Sequence, residues 1–110
     1  MIDFECIVQQ GCVPEEIRSD LAMGLARIST SILGGSPDDV EVEFTEIPKG
    51  YGFREGEPST TSLVRGRIPD GCEQEVRVRL LHEVSDMWCR TTGCSVNELV
   101  VSAGDRNYQG

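Results

Sequence analysis

VEVEFTEIPKGYGF (residues 40–53) alternates apolar and polar residues from Val40 to Thr45 and then breaks at Pro48 and Gly50. Alternation at period two predicts a strand with one buried face, and the Pro and Gly turn it into a short, turn-rich segment. Reading backward, Gly34 and Gly35 end a helix that opens at Pro14, whose missing N–H costs nothing in a first turn. Glu15 and Glu16 suit the positive end of its dipole. Ile17, Leu21, Leu25, Ile28 and Ile32 fall at helical spacing and predict one buried stripe. Before the helix, IDFECIVQ (2–9) alternates again, with Ile2, Phe4, Cys6 and Val8 on one side, and Gly11 ends it. Strand, helix and strand in this order make a βαβ unit with parallel strands.

The chain then repeats the plan. A shift of 59 residues lays Leu21 on Leu80, Gly34 on Gly93, Ser36 on Ser95, Asp39 on Glu98 and Val42 on Val101. TSLVRGRI (61–68) reads as a strand, and PDG (69–71) as a turn. Val76, Leu80, Val84, Met87 and Trp88 read as a helical stripe that stops at Gly93, and ELVVSA (98–103) as a closing strand. The expected fold is α/β: two tandem βαβ units forming a four-stranded sheet with both helices on one face. The expected organisation is a single domain, 1–110, with pseudo-repeats at about 2–47 and 61–104. Residues 48–60, rich in Gly, Pro and charge, are expected to be a hairpin or arm laid across a neighbouring subunit. The second sheet face, left bare and partly uncharged, is expected to be covered by other copies of the chain.

Composition excludes several functions. The 110 residues carry 10 basic and 19 acidic side chains, a net charge of −9, so nucleic acid and anionic membrane are not expected partners. Nine of the ten basic residues are Arg, with Lys49 the exception, which suits fixed pairing with carboxylates. Five cysteines without a CxxC and a single His argue against a zinc site or a disulfide framework, so reduced thiols in the cytoplasm are expected. The opening MIDFECIVQQ lacks the basic region and apolar run of a signal peptide or membrane span.

The strand followed by Thr45-Glu46, an apolar residue, Pro48, Lys49-Gly50 and the aromatics Tyr51 and Phe53 resembles the second strand and C-terminal arm of 4-oxalocrotonate tautomerase (4-OT). The strand from residue 2, Gly11, Glu15-Glu16 and a helix ending at Gly34 are similar to that family too. The double βαβ plan resembles the longer members of the tautomerase superfamily, among them chloroacrylic acid dehalogenases, malonate semialdehyde decarboxylase and macrophage migration inhibitory factor. The resemblance spans essentially the whole chain and implies a homotrimer. It also implies a small 2-oxo or enol carboxylic acid as substrate, with no cofactor or metal.

In that superfamily an amino-terminal proline is the base, arginines hold the substrate carboxylate, and an aromatic of the arm walls the pocket. Carried over by position, the proline falls on Ile2, the turn arginine on Cys12 and the second-strand arginine on Glu41. A large second residue normally leaves the initiator in place, so the terminal amine expected here is that of Met1. A free α-amine titrates at about 7.7–8.0, close enough to neutrality to serve as a base or to form an imine; a terminus without a catalytic role is the competing reading. The resemblance puts substrate contacts at Arg65 and Arg67, where dehalogenase and decarboxylase members carry a pair of carboxylate-binding arginines, and at Phe53, Tyr51 and Arg54 of the arm. Two residues apart on a strand, Arg65 and Arg67 share a face and could grip one anion, or they could be rim arginines paired with acidic neighbours.

The remaining candidates read more plainly. Cys12 and Cys72 precede helix N-termini, where a thiol can be activated, but no His lies near either as a base. His82 falls off the apolar stripe among Arg79, Glu83 and Asp86 and reads as solvated, and Trp88 reads as core. Glu41 and Glu43 share a strand face with Thr45 and read as solvent or subunit rim, a general acid being the alternative. The functional expectation is therefore a tautomerase-superfamily protein, an isomerase, hydratase or decarboxylase working without the usual proline. The alternative is a non-catalytic trimeric member that binds a small anion or a protein partner.

Overall fold

The computed structural model describes residues 2–48, 52–54, 57–59 and 61–105, with the backbone alone for 52–54, 57–59 and Val96. The first unit runs through strand β1 (Ile2–Gln9), helix α1 (Glu15–Leu33) and strand β2 (Val40–Ile47). Short strands β3 (Gly52–Arg54) and β4 (Glu57–Ser59) follow. The second unit is strand β5 (Ser62–Ile68), helix α2 (Gln74–Thr92) and strand β6 (Leu99–Asp105).

The four long strands form one mixed sheet in the order β2-β1-β5-β6. The strands of each unit are parallel, and the units meet through antiparallel β1 and β5. Strands β3 and β4 form a separate antiparallel ribbon, so the expected hairpin is present in the backbone between the halves.

The even-numbered side chains of β1 (Ile2, Phe4, Cys6, Val8) and of β5 (Val64, Ile68) join Leu21, Leu25 and Ile28 of α1 and Leu80, Val84, Met87 and Trp88 of α2 in one core. Both helical stripes read from the sequence thus point at the same sheet face. Trp88 is fully buried and its ring stacks 6.4 Å from that of Phe44, joining the second unit to the first. The helices approach closely at Gly24, where a side-chain carbon would lie 2.7 Å from the Met87 sulfur. The shortest dimension of the molecule is 20 Å, room for one sheet layer and one helix layer of about 10 Å each. Among the described residues the other sheet face is therefore uncovered.

Both helices end on glycine with φ near +80°: the Gly34 N–H donates to the Thr30 carbonyl and the Gly93 N–H to that of Cys89. The 59-residue shift holds for helices and closing strands and extends to two ion pairs. Arg18 on α1 reaches Glu46 at the end of β2, and Arg77 on α2 reaches Asp105 at the end of β6. In the opening strands the true offset is 60, setting buried Phe4 against buried Val64 and Gly11 (φ +81°) against Gly71 (φ +82°). The first turn holds two residues, Cys12 and Val13, between that glycine and the helix cap, where the second holds only Cys72. His82 is exposed and Trp88 is core, as their positions predicted.

Candidate functional site

The uncovered sheet face is built in rows, because residues opposite each other on neighbouring strands project the same way. One row runs Glu41, Asp3, Arg67, Gly104, and the next Glu43, Glu5, Arg65, Ser102. A third runs Thr45, Ile7, Leu63, Val100, with Val100 half exposed. The face is thus acidic on β2 and β1, basic on β5, and apolar toward the end where β1 finishes. Glu41 and Glu43 do lie beside Thr45 on this face.

Arg65 and Arg67 share it, and both are exposed. Their surroundings differ. Arg65 donates to the Glu5 carboxylate at 2.5 Å, directly across the antiparallel pair. Arg67 stands opposite Asp3, near the start of β1, and makes no ion pair or hydrogen bond among the described residues. So, among the described residues, one guanidinium is held by a carboxylate and the other is exposed without an ion pair. Among the remaining residues the sequence nominated, Met1 and Tyr51 lie outside the described residues. For Phe53 and Arg54 only the backbone of β3 is described.

Glu5 is the member of this cluster that the sequence reading passed over. The sequence showed acidic residues at positions 3 and 5 of β1 but not which strand of the second unit would pair with it. With β1 opposite β5, those carboxylates face the two arginines.

A second concave region lies at the opposite end of β1. It is a cavity of about 250 Å³ walled by Cys12, Ser62, Trp88, Thr92, Cys94 and Glu98, among others. The buried indole N–H of Trp88, in its wall, has no hydrogen-bond partner among the described residues. Beside it, the Cys94 thiol lies 3.7 Å from that of Cys89. Burial, then the hydrogen bond to Cys94, push the Cys89 thiol up to about 11. Cys72, the counterpart of Cys12 in the second turn, instead donates weakly to the Glu73 carbonyl at 3.6 Å. Among the described residues no group of three or more His, Cys, Asp or Glu converges to hold a metal ion, and no helix is long and apolar enough to cross a membrane.

Among solved structures, native Ps01740 superimposes with a TM-score of 0.89 and 31% identity, over 94% of this chain and 92% of that one. A fused 4-OT wild-type symmetric trimer gives 0.83 and 17% identity, over 94% of this chain and 84% of that one. Pt0534 inactivated by 2-oxo-3-pentynoate gives 0.84 and 21% identity, with the same coverage. No family model and no curated protein matches the chain.

Proposed function

The chain belongs to the tautomerase superfamily, and from that premise we propose that it is an isomerase, hydratase or decarboxylase-like catalyst acting on a small 2-oxo or enol carboxylic acid. It works as a homotrimer in which the uncovered face of one protomer meets its neighbours, as the trimeric fused 4-OT structures suggest. In this reading Arg67 binds the substrate carboxylate, Arg65 supports it, and Phe53, Tyr51 and Arg54 wall the pocket. The free amine of Met1 takes the proton that a proline takes in other members.

The observation that carries the proposal is Arg67. Its guanidinium is exposed and unpaired among the described residues, and stands opposite Asp3, two residues from Met1. An amine near its unperturbed pKa can remove a proton α to a 2-oxo group and return it at the far end of the resulting enol. A fixed guanidinium beside the reacting atoms stabilises the negative charge that develops on oxygen. The inactivation of Pt0534 by a 2-oxo compound is of a piece with such a pocket in a protein of the same fold.

The pairing of Glu5 with Arg65 favours a second reading, a non-catalytic trimer that binds a small anion or a protein partner, because half of the arginine pair is already neutralised. Tautomerisation of phenylenolpyruvate and 2-hydroxymuconate separates the two, after the mass of the intact chain has fixed its first residue. Turnover that falls by about 10²–10³ in Arg67→Ala supports catalysis. Anion binding lost in Arg67→Ala, with no turnover in the native chain, supports the second reading. An Arg67→Ala variant unchanged in both refutes the site.

A further inference from the structure

We infer that Cys94 and Cys89 form a redox-modification site, in which Cys94 is thiolated by a low-molecular-weight disulfide and Cys89 resolves the adduct into an intramolecular disulfide. The inference does not depend on the reaction proposed above, since the two thiols lie at the other end of β1 from Arg67.

Three observations bring them together. Cys89 is in the last turn of α2, and the chain reverses at Gly93, whose φ of +78° is one an L side chain rarely adopts. That reversal folds Cys94 back over the helix end, so the two sulfurs stand 3.7 Å apart without being bonded. A bond between them requires the sulfurs to close from there to about 2.05 Å. A second hold on the loop, the Cys94 N–H donating to the Thr92 hydroxyl at 3.2 Å, keeps residue 94 in place while its side chain turns.

The surroundings divide the roles. Cys94 lines the cavity described above, which gives a small disulfide access to its sulfur. Cys89 does not line that cavity, so an external reagent reaches it less readily than Cys94. The exchange balances. The Cys94 thiolate attacks one sulfur of the reagent, breaking its S–S bond and expelling one small thiolate. Cys89, giving its proton to solvent, then attacks the Cys94 sulfur and expels the second. Two protein thiols are oxidised, one reagent disulfide is reduced to two thiols, and no other oxidant takes part. The indole of Trp88, the one tryptophan of the chain and a wall of the same cavity, sits beside the event.

The test equilibrates the folded full-length chain in buffers of graded oxidised-to-reduced glutathione, then alkylates and maps the thiols by mass. The expected result is a loss of about 2 Da as two hydrogens leave, a peptide cross-linked between Cys89 and Cys94, and Trp88 emission that is quenched and returns with dithiothreitol. In Cys89→Ser the mixed disulfide on Cys94 persists; in Cys94→Ser, Cys89 remains alkylatable when denatured. The inference is overturned if the native chain keeps both thiols alkylatable at every ratio. It is equally overturned if Cys94 is found bonded to Cys12, or if Cys89→Ser accumulates no adduct.

Discussion

Replacing Gly66 with Ala tests how the strand that carries both arginines is held. Gly66 lies between them and points to the other side of the sheet, into the core. It stands opposite Phe4 on β1 and Ala103 on β6. A side-chain carbon built there would meet the Phe4 ring at 2.8 and 3.2 Å and the Ser102 carbonyl at 3.4 Å. Phe4 is 3% exposed, so its ring has little free space to enter. The small residues on β5 and β6 are thus the room in which that ring lies. Overpacking of a filled core costs about 1–3 kcal/mol. The reduced freedom of the unfolded chain returns about 0.4–1 kcal/mol when Gly becomes Ala. The net expectation is a loss of about 1–2 kcal/mol.

Urea unfolding at one fixed protein concentration, so that assembly contributes equally, should show it. With a slope of about 2 kcal/mol/M the midpoint falls by about 0.5–1 M. Phe4→Leu supplies the control. If the ring is the obstacle, the double variant is more stable than the sum of the single losses predicts by at least about 0.5 kcal/mol. A Gly66→Ala midpoint that is unchanged or raised refutes the packing argument, and strict additivity refutes the role of the ring. The functional readout says which element gives way: anion binding is kept if Phe4 moves and is lost if the strand between Arg65 and Arg67 moves.

Three further outcomes follow from the same geometry. Glu5→Gln frees Arg65; because the pair is exposed, stability changes by less than about 1 kcal/mol. Titration calorimetry with a small carboxylate should show several-fold tighter binding, a gain that Arg65→Ala in the same background removes. Arg18→Met loses a bond to Glu46 at 2.6 Å, bonds to the Val13 carbonyl and a position 5.7 Å from the Phe44 ring. Its denaturation midpoint should fall by the equivalent of about 1–3 kcal/mol, whereas Arg79→Met, which removes an exposed i,i+4 pair, costs under about 0.5 kcal/mol. The Cys6 thiol is pushed up to about 12 by burial and then by Glu5. The folded chain therefore keeps a proton that the unfolded chain gives up. The stabilisation is whole below about pH 9 and is lost, by up to about 1.4 kcal/mol per unit, between about pH 9 and 12. Stability measured along this range should fall less steeply in Cys6→Ala than in the native chain.

What the sequence made legible is what periodicity encodes. One-sided burial leaves alternation in Ile2, Phe4, Cys6 and Val8 and a helical stripe in Leu21, Leu25 and Ile28, and two such units imply the sheet. The facing of Glu5 by Arg65 is a different kind of fact, since register between residues 60 apart belongs to the pairing of strands and leaves no local pattern. A uniform shift of 59 would lay Phe4 on Leu63, which the structure puts on opposite sides of the sheet. The extra residue in the first turn accounts for the difference, and its effect reaches the chemistry. Cys12 and Cys72 follow equivalent glycines, yet the longer turn buries Val13 and sets Cys12 in the cavity shared with Cys94, while Cys72 bonds to the next residue's carbonyl. The thiol pair at Cys89 and Cys94 is hidden for the same reason, because the approach of the two sulfurs is made by the reversal at Gly93 and not by helical spacing. The two halves therefore share an architecture while their ends differ in the side chains they gather. The end near Asp3 carries a guanidinium with no ion pair among the described residues, and the end near Gln9 carries the thiols of Cys12, Cys89 and Cys94. A mutation that lengthens the second turn by one residue, between Cys72 and Glu73, would test that difference directly. It should change the alkylation rate of Cys72 and leave the Cys94 adduct untouched.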